Sequence, residues 1–187
     1  LDVSMLDSLI NLKCHNNQIN SLDISQNLIL EYLNCQSNLL TTLDVSQNTS
    51  LSHLDCQYNQ IPALNVNTLD SLNFLYCRGN FLTSLDISNN LLLEKVFCGD
   101  NQITQLDFTN NSALERIRCY NNDLTSLDLR NGNNTSITEL KAHQNDSLFC
   151  VSVDNSTYSD TAWLNPLNTN FNFDTIVSFS NNCNPSA

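Results

Sequence analysis

Residues 30–40 read LEYLNCQSNLL, and residues 51–61, 21 positions further on, read LSHLDCQYNQI. Both have Leu at the first and fourth places, Cys at the sixth, Asn at the ninth and Leu or Ile at the eleventh. The frame recurs in both directions, as LINLKCHNNQI from Leu9, LNFLYCRGNFL from Leu72, LEKVFCGDNQI from Leu93 and LERIRCYNNDL from Leu114. Cys14, Cys35, Cys56, Cys77, Cys98 and Cys119 therefore stand on a strict 21-residue period. No ordinary globular core places one residue type so regularly. A fixed period of this length means stacked units that each contact mainly their neighbours. A seventh unit, ITELKAHQND from Ile137, has Ala142 in the Cys place, and its 23-residue step puts a two-residue insertion within residues 130–135.

The shared frame, LxxLxCxxNx(L/I), resembles the leucine-rich repeat consensus with Cys in its third apolar slot. Between the blocks runs a second phrase: SLDIS, TLDVS, ALNVN, SLDIS, QLDFT and SLDLR. Apolar and polar residues alternate there with period two, and about ten residues separate successive blocks, too few for a helix and its connections. The expected fold is a β-rich solenoid of 21-residue coils, with a parallel concave sheet and short strands or extended turns on the back.

Stacked strands lie about 4.8 Å apart, so equivalent side chains form files along the stack. Asn17, Asn38, Asn59, Asn80, Asn101 and Asn122 fall where each strand ends and the chain turns inward. An amide there can donate to one turn's carbonyl and accept from another's N–H, satisfying groups that a tight corner would strand. The cysteine file puts one thiol on each coil, in a line rather than a convergent cluster. Free Cys packs as a small hydrophobe, so buried, unreactive thiols are expected. Adjacent rungs are near enough for a disulfide by Cα distance alone, but parallel side chains and uniform packing argue against one.

Cys150 and Cys183 stand off the period and bracket a segment containing Trp163, the chain's only Trp. The open end of a solenoid needs a cap with a different outer face. We divide the chain into a solenoid over 1–147 and a C-terminal cap over 148–187, stapled by a Cys150–Cys183 disulfide, which implies an oxidising, extracellular setting. The chain opens on LDVS, the back phrase of a repeat, with no cap before it, which predicts a piece of a longer protein or a form cut within a repeat. No secretion signal stands in these residues, and no apolar run approaches the ~20 residues of a membrane span. The net charge of -12 disfavours nucleic acid and anionic membranes as partners.

The full pattern, LxxLxCxxNxL followed by LDVSxN, is similar to the cysteine-ladder leucine-rich repeats of the bacterial internalin J type, which are cell-surface adhesins. It resembles still more the secreted leucine-rich repeat proteins of the Bacteroidetes, whose repeats often end in a segment like that between Cys150 and Cys183. Ala142, Asn65 in place of Asp, and the missing N-terminal cap depart from the pattern. The resemblance implies surface display, adhesion or recognition, without naming a ligand.

Residues flanking the third and fourth apolar slots point onto the concave sheet. Those positions hold six of the seven basic residues, all three histidines and four of the five tyrosines, but three of the nineteen acids. Basic and aromatic residues concentrate toward the C-terminal half, and the expected ligand-binding face comprises Phe74, Tyr76, Arg78, Lys95, Phe97, Arg116, Arg118, Tyr120, Lys141 and His143. Exposed aromatics with Arg and Lys between them suit sugar rings and acidic groups, and equally suit a protein partner. The plainer alternative is cross-strand pairing of Lys95 or Arg116 with Glu94, Glu115 and Glu139, which stabilises the sheet and nothing more.

A carboxylate file, Asp2, Asp23, Asp44, Asp86, Asp107 and Asp128, runs along the back. Calcium needs six to eight oxygens and each rung supplies one carboxylate, so local backbone N–H bonds are the expected partners. His15, His53 and His143 lie too far apart to share a metal, and nothing resembles a nucleophile elbow, a phosphate loop or a zinc signature. No catalysis, metal or cofactor is expected. The reading is a non-catalytic extracellular or cell-surface recognition or adhesion module that binds a partner on its concave face, with an anionic polysaccharide as the candidate. The alternative is a protein–protein interaction module, with an extracellular protein as partner, or a structural spacer in a larger surface protein.

Overall fold

The computed structural model describes residues 1–165 and 167–183; positions 166 and 184–187 of the expected cap lie outside the described residues. Short strands recur once per coil: β1 (Asn11–Lys13), β2 (Tyr32–Asn34), β3 (His53–Asp55), β4 (Phe74–Tyr76) and β5 (Lys95–Phe97). There follow β6 (Gln105–Asp107), β7 (Arg116–Arg118), β8 (Ser126–Leu129), a 3-10 turn (Asn134–Ser136) and β9 (Glu139–Lys141). The chain ends with β10 (Cys150–Val153), helix α1 (Ser156–Ala162), β11 (Phe171–Asn172) and β12 (Ser178–Ser180). All pairings are parallel. One sheet has the order β1-β2-β3-β4-β5-β7-β9-β11, and the other, on the back, β12-β10-β8-β6. The solenoid reading therefore holds, and the back phrase is a strand in the later coils and turns in the earlier ones.

Register follows the repeat frame. Leu12, Leu33, Leu54, Leu75, Val96, Ile117 and Leu140 form one inward file, with each strand's flanking residues facing out. The two-residue insertion is absorbed by the 3-10 turn, which leaves Glu139 opposite Arg116. The six cysteines are free and buried, and burial pushes the thiols up, Cys35 and Cys98 to about 12. Protonated thiols in such surroundings are neither nucleophiles nor ligands.

The corner asparagines tie each coil to the one before. Asn80 Nδ2 donates to Cys56 O and Cys77 O, both at 3.0 Å, while its Oδ1 accepts from Ile61 N at 3.0 Å. Asn38, Asn59, Asn101, Asn122 and Asn145 make the equivalent set. A second file, Asn27, Asn48, Asn90 and Asn111, is fully buried toward the back and also donates to the preceding coil, as from Asn48 Nδ2 to Ile24 O (3.0 Å) and Asn27 O (2.9 Å). Leu69 interrupts that file with an apolar rung.

The cap closes the stack by extending both sheets. β11 adds to β9, while β10 joins β8 to β12. Trp163 packs against Phe171 and Phe179, each with a ring-centroid separation of 5.5 Å. The Cys150–Cys183 disulfide forms, with Cα atoms 5.8 Å apart.

On the back, each Asp accepts the N–H two residues on: Ser25 N to Asp23, Ser46 N to Asp44, Ser88 N to Asp86 and Thr109 N to Asp107, at 2.9–3.0 Å. Asn65 does the same for Asn67 N at 3.0 Å. These backbone bonds hold Asp2, Asp23, Asp44 and Asp86 below the usual carboxylate range. A folded-state pKa below the unfolded one gives stability that is present above the unfolded value, about 3.9, and lost as pH falls through the folded one.

Asn80→Ala should lower the unfolding free energy by about 2 kcal/mol in urea titrations, because it leaves Ile61 N without an acceptor at a buried corner, while Cys56 O and Cys77 O keep the amides of Asn59 and Asn101. The share of stability that these back carboxylates supply should be lost as a drop in melting temperature below about pH 4. Asp44→Asn, which keeps the acceptor as Asn65 does, should soften that drop and leave the pH 7 value unchanged; Asp44→Ala should lower both.

Candidate functional site: the concave face

Strand alternation and the coil period sort the outward side chains into four files. The first holds Tyr32, His53, Phe74, Lys95, Arg116 and Glu139; the second holds Asn34, Asp55, Tyr76, Phe97, Arg118 and Lys141. Two more lie just past the cysteines, with Arg78, Gly99, Tyr120 and His143 in one and Tyr58, Gly79, Asp100 and Asn121 in the other. All ten expected face residues lie in these files.

Aromatic rings touch from coil to coil. Tyr32 stacks on His53 at 4.2 Å, His53 meets Tyr76 at 5.2 Å, and Tyr76 meets Phe97 at 4.9 Å. Tyr32 and His53, which the concentration toward the C-terminal half left out, thus extend the aromatic surface by two coils. Their outward register positions were the available signal. Burial lowers the pKa of His53 and of His143, so both are neutral near pH 7.

The aromatic track ends on cations. Arg118 Cζ lies 4.3 Å over the Phe97 ring and Lys95 Nζ lies 5.0 Å over Phe74. Arg116 Nε donates to Glu139 Oε2 and Arg118 Nε to Oε1, both at 2.6 Å, while Arg116 Nη2 also bonds Oε2. Lys141 Nζ is 3.6 Å from Oε1. The Glu139 side chain is 7% exposed, against 33–35% for the three cations. Burial works to raise the Glu139 pKa, but the hydrogen bonds and charges of Arg118 and Arg116 hold it below the usual range. Of the three carboxylates expected to pair with the basic residues, Glu139 alone forms an ion pair with them among the described residues, and Lys95 forms none there.

The outermost file sits in left-handed backbone, with Asn16, Ser37, Tyr58, Asp100, Asn121 and Gln144 at φ between 52° and 57° and Gly79 at 67°. Asn, Asp and Gly suit this region. A bulky residue does not, and Tyr58 is strained by roughly 1 kcal/mol. This face can bind flat apolar groups along the aromatic track and acidic groups at its cationic end.

No protein-family model matches the chain, and no curated protein matches its sequence. Solved structures do. The functional domain of InlJ from Listeria monocytogenes, which includes a cysteine ladder, is 30% identical over 97% of this chain and 41% of its own, with a TM-score of 0.71. A leucine-rich repeat protein of Leptospira interrogans is 23% identical over 92% of this chain and 50% of its own, with a TM-score of 0.71. An internalin of Listeria monocytogenes is 20% identical over 97% of this chain and 52% of its own, with a TM-score of 0.63. The chain thus spans about two fifths to a half of the length of these neighbours. The repeat frame, the 21-residue coils, the buried cysteine file and the likeness to InlJ make this chain a leucine-rich repeat protein with a cysteine ladder.

Proposed function

We propose that the protein is a non-catalytic recognition module, outside the cell or on its surface, which binds an acidic partner along its concave face. The observation that carries this is the charge sorting. Arg116, Arg118 and Lys141 gather around one buried carboxylate, and Lys95 stands on the preceding coil, in a chain of net charge -12. Sheet stability alone asks for matched charges, not an excess of one sign beside an aromatic track. The cap disulfide supports an oxidising, extracellular setting. An anionic polysaccharide suits the repetition of charge from coil to coil. A protein partner is the second reading, favoured by the joint presence of Tyr, Phe and Arg, the residues that anchor protein interfaces.

Lys95 offers the clean test because it supports no carboxylate. Retention on an immobilised panel of neutral, carboxylated and sulfated polysaccharides should be selective for the acidic members, weaken with salt, and be lost in Lys95→Glu with an unchanged melting temperature. Retention by none of them would move the partner to a protein. Arg116→Ala with Arg118→Ala should lose binding and about 2 kcal/mol of stability, because Glu139 is left partly buried with only Lys141 nearby. Adding Glu139→Gln should restore the stability and not the binding; recovery of both would reduce the cluster to a structural role.

A further inference from the structure

The chain has three glycines, and two of them, Gly79 and Gly99, occupy adjacent coils of the concave face. A Cβ at position 79 would come 2.7 Å from Tyr58 Cδ1. One at position 99 would come 3.0 Å from the Tyr120 carbonyl oxygen and 3.2 Å from its ring. The two tyrosines thus use space that side chains on those coils would need. Between their rings lies the guanidinium of Arg78, with Cζ 5.3 Å from the Tyr58 centroid and 5.1 Å from that of Tyr120. Tyr58 and Tyr120 belong to coils three rungs apart, roughly 14 Å at the backbone, so the rings flank the guanidinium from opposite sides.

Two neighbours of Arg78 are themselves held, Asp100 and Tyr120. Arg78 Nε donates to Asp100 Oδ2 at 2.6 Å, and Asp100 Oδ1 accepts from Asn121 Nδ2 at 2.7 Å. The Tyr120 ring stacks on His143 at 5.0 Å. Neither terminal nitrogen of Arg78 has a hydrogen-bond acceptor among the described residues. Two donors are therefore presented at the edge of a fixed plane, with little conformational freedom left to lose on binding.

We propose that this slot is a carboxylate-selective anchor, in which the two terminal nitrogens of Arg78 take the acid group of a uronic acid residue in a linear polysaccharide. The inference rests on the concave-face reading above and assigns the acid group of its ligand. A carboxylate can lie in the guanidinium plane and accept two parallel N–H bonds. A tetrahedral sulfate puts an oxygen out of that plane, toward a flanking ring. The half-exposed Tyr58 ring beside the fork offers a flat apolar surface to the sugar. Arg78, Lys95, Arg116 with Arg118, and Lys141 put at least one cation on each of four consecutive coils. A polyuronate repeats its charge in the same way, whereas a folded protein surface does not. The strained backbone of Tyr58 fits this role, since Asn16 and Asn121 show the residue that the same position takes without strain.

The test is calorimetric titration with polygalacturonate, dextran sulfate and poly-L-glutamate at one ionic strength. Arg78→Lys keeps the charge and loses the planar fork, and should weaken polygalacturonate about tenfold while leaving dextran sulfate within about twofold. Tyr58→Asn should keep or raise the melting temperature and still weaken polygalacturonate by about threefold or more. Equal losses on both polyanions in Arg78→Lys would refute carboxylate selectivity and leave the concave-face reading standing. A lower melting temperature in Tyr58→Asn with unchanged affinity would make the clamp structural. Binding of poly-L-glutamate without polygalacturonate would overturn the polysaccharide assignment, and binding of none of the three would overturn the anchor together with the polysaccharide reading of the face.

Discussion

Each coil closes through an asparagine amide that does at one corner what an extra strand or helix turn would otherwise have to do. The chain must leave a three-residue strand and turn into the core within a few positions, which strands two carbonyls and an N–H away from water. A single amide serves all three groups, and because its oxygen reaches back to the preceding coil it also sets the distance between coils. The cysteine beside it is small enough to leave that corner room and apolar enough to be buried at every rung. Once coil spacing and register are fixed in this way, the position of every outward side chain follows from its place in the repeat.

That dependence explains which parts of the molecule could be read from its sequence. Files along a stack are periodic, so the cysteine file, the corner asparagines, the back carboxylates and the set of face residues were all visible as columns of an alignment. The off-period Cys150 and Cys183 were visible for the opposite reason. The second asparagine file was present in the SQN and NN phrases, but its role depends on which carbonyls come within reach of Asn27 and Asn48 at the back, and that takes three dimensions. Glu139 was legible as a column neighbour of Arg116. That it would hold Arg116 and Arg118 together, while Glu94 and Glu115 would not, depends on rotamers and on the register left by the 3-10 turn.

Periodicity also shows where a departure from the rule carries information. In the left-handed file, Asn, Asp and Gly are the residues that physics favours, and Tyr58 is the bulkiest of the three exceptions, beside Ser37 and Gln144. In the file just past the cysteines, Gly99 is the one rung without a side chain, although its backbone has no need of glycine. Each oddity is unexplained alone. Together they leave room for one guanidinium between two rings, with an aspartate to set its plane.

The two cationic sites of the face differ in how they resist change. Around Glu139 the cations also maintain the fold, because a carboxylate that is 7% exposed needs partners whatever the face binds. A substitution there changes stability together with the charge of the face, so its effect on the face is read only after the charge balance is restored. At Arg78 the supporting groups are all at the surface, and the cation itself is about one third exposed, so its pairing with Asp100 adds little to stability. What the pairing supplies is orientation. A side chain fixed in direction by contacts worth little to the fold is free to change with the ligand, and on a repeat scaffold such positions can diversify without disturbing the stack beneath them.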